Sequence, residues 1–287
     1  MDLHNIVVAT DQSEAGRQAA RAGVELAERT SSRLFVMRVM SHRPLAAAAN
    51  GRAAPPGEGS DHAERERLQR WLGDDLPPRR GQGDVELGIT TGVPSIEVCR
   101  YAETHQADLL VLGRKERSQP ARLLLGDTAD AVARRSRVPC LFVPPRAGPI
   151  GRVLVALDST ERGMFVLKEA CGFARATGAA LAAVTVKPAS AGEIGEGVTE
   201  PPTVRTLRLV PRAREIVRLE LGRAANIEVE VRRGEIVEQV LAAFQASSAD
   251  LLAFGFHRGG PPGVVEAGST ARRLAHTAPG AVLTVPL

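Results

Sequence analysis

The chain has 287 residues, enough for one large domain or two of ordinary size. With 44% hydrophobic and 24% charged residues it sits near the globular average, which excludes wholesale disorder and a fibrous fold. The formal charge of +4 is spread over interleaved acids and bases, aromatic residues are only 3%, and no apolar run of about 18 residues occurs, so neither nucleic acid nor membrane is an expected partner.

In chain order, the first element is a strand. Ile6 to Thr10 is a short, continuous apolar run, the pattern of a strand buried on both faces of a parallel sheet, and Asp11 follows it. A helix starts at Ser13 and Glu14, with Ala19, Ala20, Val24 and Ala27 at helical spacing. The alternation continues as strand Leu34 to Val39, helix Ala63 to Leu72, strand Val85 to Ile89 and helix Ser95 to His105. Strand Asp108 to Leu112, helix Thr128 to Arg135 and strand Val138 to Val143 complete the series.

The chain then repeats itself. Ala107-Asp-Leu-Leu-Val-Leu-Gly113 returns as Ala249-Asp-Leu-Leu-Ala-Phe-Gly255, identical at five of seven positions at an offset of 142 residues. Gly126-Asp-Thr-Ala129 matches Gly268-Ser-Thr-Ala271, Ile6 to Asp11 matches Val153 to Asp158, and Gly16 matches Gly163. The second series places strands near 152–157, 180–186, 227–232, 250–254 and 281–285, with helices near 162–176, 204–222, 236–246 and 269–276. His42 to Ser60 and Pro188 to Pro202, rich in Ala, Gly and Pro, read as corresponding loops, and a short linker lies near 144–151.

Strands joined by helix-length crossovers require an open, doubly wound parallel sheet. The expected fold class is therefore α/β, two tandem doubly wound parallel five-stranded sheets, as domains 1–147 and 148–287. Cys99, Cys140 and Cys171 are odd in number and set among apolar residues, as reduced core thiols are. Together with an N-terminus lacking the signature of a secretion signal, they lead to a cytoplasmic expectation.

Ligands of doubly wound sheets bind beyond the carboxyl ends of the strands, where strand order reverses. With the order 3-2-1-4-5, that crevice lies between the first and fourth strands, whose ends carry Asp11 and Gly113 in the first domain and Asp158 and Gly255 in the second. A carboxylate there accepts hydrogen bonds from ribose hydroxyls, and a glycine turn running into a helix start holds phosphate on backbone N–H groups. Equally, Asp11 and Asp158 cap the following helix, and Thr128 and Ser269 cap theirs. His257 has no nucleophile at a fitting position, and no metal-ligand spacing occurs among the histidines. Neither a Gly-x-Gly-x-x-Gly after the first strand, nor a P-loop, nor a Gly-x-Ser-x-Gly elbow is present.

This pattern resembles the universal stress protein family, whose fold belongs to the adenine nucleotide α-hydrolase-like group with strand order 3-2-1-4-5. Nucleotide-binding members carry Gly-x2-Gly-x9-Gly-Ser/Thr before the fourth helix. Here the first and last glycines keep that spacing in both domains, but the middle one is Glu116 in the first and Arg258 in the second. Glu116 and Asp127 would oppose a triphosphate in the first domain. Arg258, Gly259 and the ending Gly268-Ser269-Thr270 make the second the better nucleotide site.

The resemblance implies adenine nucleotide as ligand, ATP first, with Mg left open. It places Val186 beside adenine, Asp158 on ribose, and Gly255, Arg258, Gly259, Gly268, Ser269 and Thr270 around phosphate. Asp11, Val39, Gly113, Gly126 and Thr128 are the first domain's weaker equivalents. It also implies pairing of the two domains through their last strands; a homodimer and an unidentified protein partner stay open. The expected action is regulatory, by binding, with a nucleotide-free scaffold and a slow ATPase as alternatives.

Overall fold

A computed structural model describes residues 1–40, 58–73, 85–118, 121–187, 202–257 and 269–287. The chain divides into two compact units. One holds residues 3–116 and 125–146; the other holds 147–287 together with 1–2 and 117–124.

The first unit carries β1 (Asn5–Ala9), α1 (Glu14–Thr30), β2 (Arg33–Met40), α2 (Glu58–Gly73), β3 (Glu86–Thr91), α3 (Pro94–Thr104), β4 (Leu109–Gly113), α4 (Asp127–Arg135) and β7 (Cys140–Val143). Its strands run β3-β2-β1-β4-β7, all neighbours parallel. Between β4 and α4 lie two short strands, β5 (Lys115–Ser118) and β6 (Ala121–Leu124), which pair with each other. The sequence pattern predicts no element between Leu112 and Thr128.

The second unit carries β8 (Arg152–Leu157), α5 (Glu161–Thr177), β9 (Ala180–Lys187), α6 (Pro202–Leu221), β10 (Glu228–Arg233), α7 (Ile236–Ala246), β11 (Leu251–Phe256), α8 (Ser269–Thr277) and β12 (Ala281–Pro286). Its order, β10-β9-β8-β11-β12, is again parallel throughout. Both sheets thus have the expected 3-2-1-4-5 order. The two expected loops fall almost wholly outside the described residues, but residues 58–60 open α2 and Pro202 opens α6, so both helices start earlier than the apolar spacing indicated.

The cores explain the apolar runs. Ile6, Val7, Val8, Leu109, Leu110 and Val111 have no exposed surface, and neither do Val153, Val155, Leu251 and Leu252. Burying each such side chain contributes roughly 1.5–3 kcal/mol before entropy is counted. The helices begin at polar caps: Ser13 Oγ accepts from Gly16 N, and Thr160 Oγ1 from Arg162 N. α2 docks through Leu68 and Leu72, with Arg17 lying 5.2 Å over the Trp71 ring and Arg38 paired to the buried Glu64.

The repeated Ala-Asp-Leu-Leu run now has a structural reason. Asp108, just before β4, accepts from the backbone N–H groups of His4 and Asn5 at 2.8 and 2.9 Å, and donates its own N–H to Asn5 O at 2.8 Å. Asp250 does the same for Gly151 and Arg152, both at 2.9 Å. Each aspartate fastens the start of its domain's first strand to the fourth and so sets their register.

The cysteines are free thiols. Burial pushes Cys99 up to about 11 and Cys171 up to about 12, leaving both protonated and unreactive near neutral pH. Among the described residues no helix is long and apolar enough to cross a membrane.

Candidate functional site

Each sheet opens a pocket where its first and fourth strands part. The first domain's cavity is about 340 Å³ and brings together Asp11, Val39, Gly113, Gly126, Asp127 and Thr128, which the sequence singled out, with Met37, Pro94, Val98 and Lys115, which it did not. The second domain's cavity, about 320 Å³, brings together Asp158, Val186, Gly255, Ser269 and Thr270, and adds Gly163, Ile236, Val240, His257, Leu274 and Leu287. Arg258, Gly259 and Gly268 lie outside the described residues.

The two strand-end aspartates are both caps and lining. Asp158 Oδ1 accepts from Thr160 N at 3.0 Å, Thr160 Oγ1 at 2.6 Å and Gly163 N at 3.1 Å. Asp11 Oδ1 accepts from Ser13 N at 3.0 Å. Among the described residues the other oxygen, Oδ2, of each carboxylate has no hydrogen bond, so each retains an acceptor for a ligand hydroxyl.

The last glycine of β4 and that of β11 are required by close approach, though by different neighbours. A Cβ on Gly113 would stand 2.4 Å from the backbone carbon of Ala15, at the start of α1. A Cβ on Gly255 would stand 2.4 Å from Leu287 Cδ1 and 3.0 Å from Val166 Cγ2. Leu287 is held there by its N–H, which donates to Phe256 O at 3.1 Å. Next to Gly113, Arg114 is wholly buried, and burial lowers its guanidinium to about 10. Its counterpart, Phe256, is an ordinary core residue.

The phosphate ends differ most. α4 begins with Asp127 and carries Asp130 in the same turn, the latter buried and paired to Arg134 at 3.1 Å. The hydrocarbon chain of Lys115 lies against Gly126, with Cδ 3.4 Å from where a Cβ would stand. α8 begins with Ser269 and Thr270 and has no acid in its first turn; Arg272 stands where Asp130 does. Among the described residues its partial positive end meets no carboxylate, whereas that of α4 is already met by its own.

The apolar ends match. Val39 and Val98 in the first domain correspond to Val186 and Val240 in the second. The first turns of α3 and α7 thus belong to the site. At the start of α3, Val93 and Ile96 are 56% and 45% exposed. In the second domain Glu235 caps α7 by accepting from Glu238 N at 2.7 Å and reaches Arg273 of α8 at 2.8 Å.

A duplicated, doubly wound α/β protein with a strand-end pocket in each half is the class these features define. The chain belongs to the universal stress protein family, whose model matches residues 3–144 and again 149–286. Universal stress protein MJ0531 of Methanocaldococcus jannaschii is 26% identical over 143 residues, 48% of this chain and 80% of that relative. A crystal structure of a universal stress protein from Archaeoglobus fulgidus DSM 4304 covers 100% of this chain and 99% of its own at 17% identity, with a TM-score of 0.73, a likeness of fold. The universal stress protein from Archaeoglobus fulgidus in complex with dAMP covers 48% of this chain and 98% of its own at 20% identity, with a TM-score of 0.35.

Proposed function

We propose that this protein is a cytoplasmic regulatory module that acts by binding an adenine nucleotide, with ATP in the second domain. One observation carries the choice of domain: the first turn of α8 offers Ser269 and Thr270, and no acid, to a pocket that also holds Asp158, Val186 and Gly255. In this reading Val186 and Val240 enclose the base, Asp158 Oδ2 accepts from ribose, and Ser269, Thr270 and the N–H groups of α8 meet phosphate. By resemblance, Gly268 keeps the spacing of the family's last glycine, and Arg258 and Gly259 stand at and beside the place of its middle one. Asp158 is the one carboxylate lining this pocket among the described residues, and its Oδ1 is committed to the start of α5. A Mg ion arriving with ATP would find Asp158 as its one carboxylate among the described lining residues and would take its other ligands from phosphate and water.

Calorimetric titration with ATP, ADP and AMP tests this on the wild-type chain and on Ser269→Asp. The variant places a carboxylate where Asp127 stands in the first domain and is expected to weaken ATP at least about tenfold. Absence of any heat or melting shift at millimolar nucleotide would sink the proposal and favour a nucleotide-free scaffold.

A further inference from the structure

We infer that the first domain's pocket is a nucleoside site, one that takes a base with its ribose but no phosphate chain. The inference rests on the reading of the second pocket as an adenine-nucleotide site, because the two share their inner ends. Val39 and Val98 stand where Val186 and Val240 stand, the cavities are of like size at about 340 and 320 Å³, and Asp11 Oδ2, like that of Asp158, is free for a hydroxyl among the described residues.

The outer end is set against phosphate by the first turn of α4. Lys115, whose Cδ lies 3.4 Å from where a Cβ on Gly126 would stand, offsets only one of the two carboxylates in the lining. Asp127 opens α4 with an exposed carboxylate that has no hydrogen bond or ion pair among the described residues. Among the described lining residues Lys115 stands against Asp11 and Asp127, a net −1. A triphosphate arriving there meets a like charge at the one place where a helix would otherwise welcome it. An uncharged nucleoside pays no such penalty, and its sugar hydroxyls find Thr10, Asp11 and Ser13 in the lining.

Titration of the full chain with adenosine and with ATP tests the assignment. Val186→Trp fills the second pocket; in it adenosine is expected to bind once and ATP at least about tenfold more weakly. Adding Asp127→Ser to that chain is expected to bring ATP to within a few-fold of adenosine, since the first domain then carries the second domain's residue. Val39→Trp isolates the second pocket and is expected to keep ATP binding. Should the Trp variants fail to fold, Ser269→Asp alone reads the same point, because ATP is then expected to be weak throughout the chain while adenosine is unaffected. Equal affinities for adenosine and ATP in Val186→Trp, no adenosine binding in a folded Val186→Trp, or undiminished ATP binding in Ser269→Asp would overturn the nucleoside assignment. Loss of ATP in a folded Val39→Trp, with ATP retained in Val186→Trp, would instead overturn the reading of the second pocket.

Discussion

The starts of α4 and α8 occupy equivalent places yet carry opposite charge. Asp127 and Asp130 open one; Ser269 and Arg272 open the other. The inner residues of the two pockets, by contrast, have stayed alike: valine at the end of the second strand, aspartate after the first, glycine at the end of the fourth. The difference follows from how far each residue is tied into the fold. The inner residues are fixed by packing and capping that the fold cannot lose, whereas an exposed first-turn residue changes stability by only a few tenths of a kcal/mol to about 1 kcal/mol. Charge at the helix start is thus where two copies of one fold part in function at little structural cost.

The largest expected effect breaks the comparison at the strand-end glycines. Gly113→Ala drives a methyl into the backbone of α1, which cannot step aside, and is expected to destabilise the chain by about 3 kcal/mol in urea unfolding. Gly255→Ala meets the free end of Leu287 and is expected to cost under about 1.5 kcal/mol; in a Leu287→Ala background that cost should largely vanish. Equal penalties at the two glycines would show that the copies are walled alike.

The aspartates come next. Asp158→Ala removes an acceptor serving three donors, Asp11→Ala one serving a single N–H, so losses of about 2 and about 1 kcal/mol respectively are expected from thermal melts. Reversed order would mean that Asp11 is the more deeply engaged cap.

The smallest effect is a response to acid in the second domain. A hydrogen bond from Arg212 holds the Glu161 carboxyl below its ordinary range, and bonds from the Glu238 N–H and from Arg273 do so for Glu235. A carboxyl lowered in the folded chain contributes stability above the unfolded carboxyl's range and loses it as pH falls through the folded value. Glu161→Gln and Glu235→Gln should therefore lower the melting temperature slightly at neutral pH and not at all once the medium is more acidic than the carboxylate range. Both groups are fully exposed, so added salt should shrink the difference.

Much of this was legible in the residues alone. Continuous apolar runs such as Ile6 to Val8 have one physical use in an α/β chain, and the repeat placed the second sheet from the first. Asp11, Asp158, Val39 and Val186 could be placed at the pockets because strand ends are set by period and order. Lys115 and Leu287 could not, since the direction of a side chain beyond a strand end follows from a turn and not from any period. The early start of α2 escaped notice for a related reason: its first turn, Glu58-Gly-Ser-Asp, has no apolar face to betray a helix.

The aspartates that fasten first strand to fourth also govern time. Asn5 and Asp108 are 103 residues apart, and Arg152 and Asp250 are 98 apart. On a ribosome adding ~5–20 residues per second, β1 and later β8 each wait roughly 5–20 s for the clasp that centres their sheet. Through that interval the first strand has its second-strand neighbour on one side and an open apolar edge on the other, a condition under which nascent chains call on chaperones. An aspartate-to-alanine change at 108 or 250 should accordingly show first as poor yield on rapid expression, before any change in the ligand that the finished domain prefers.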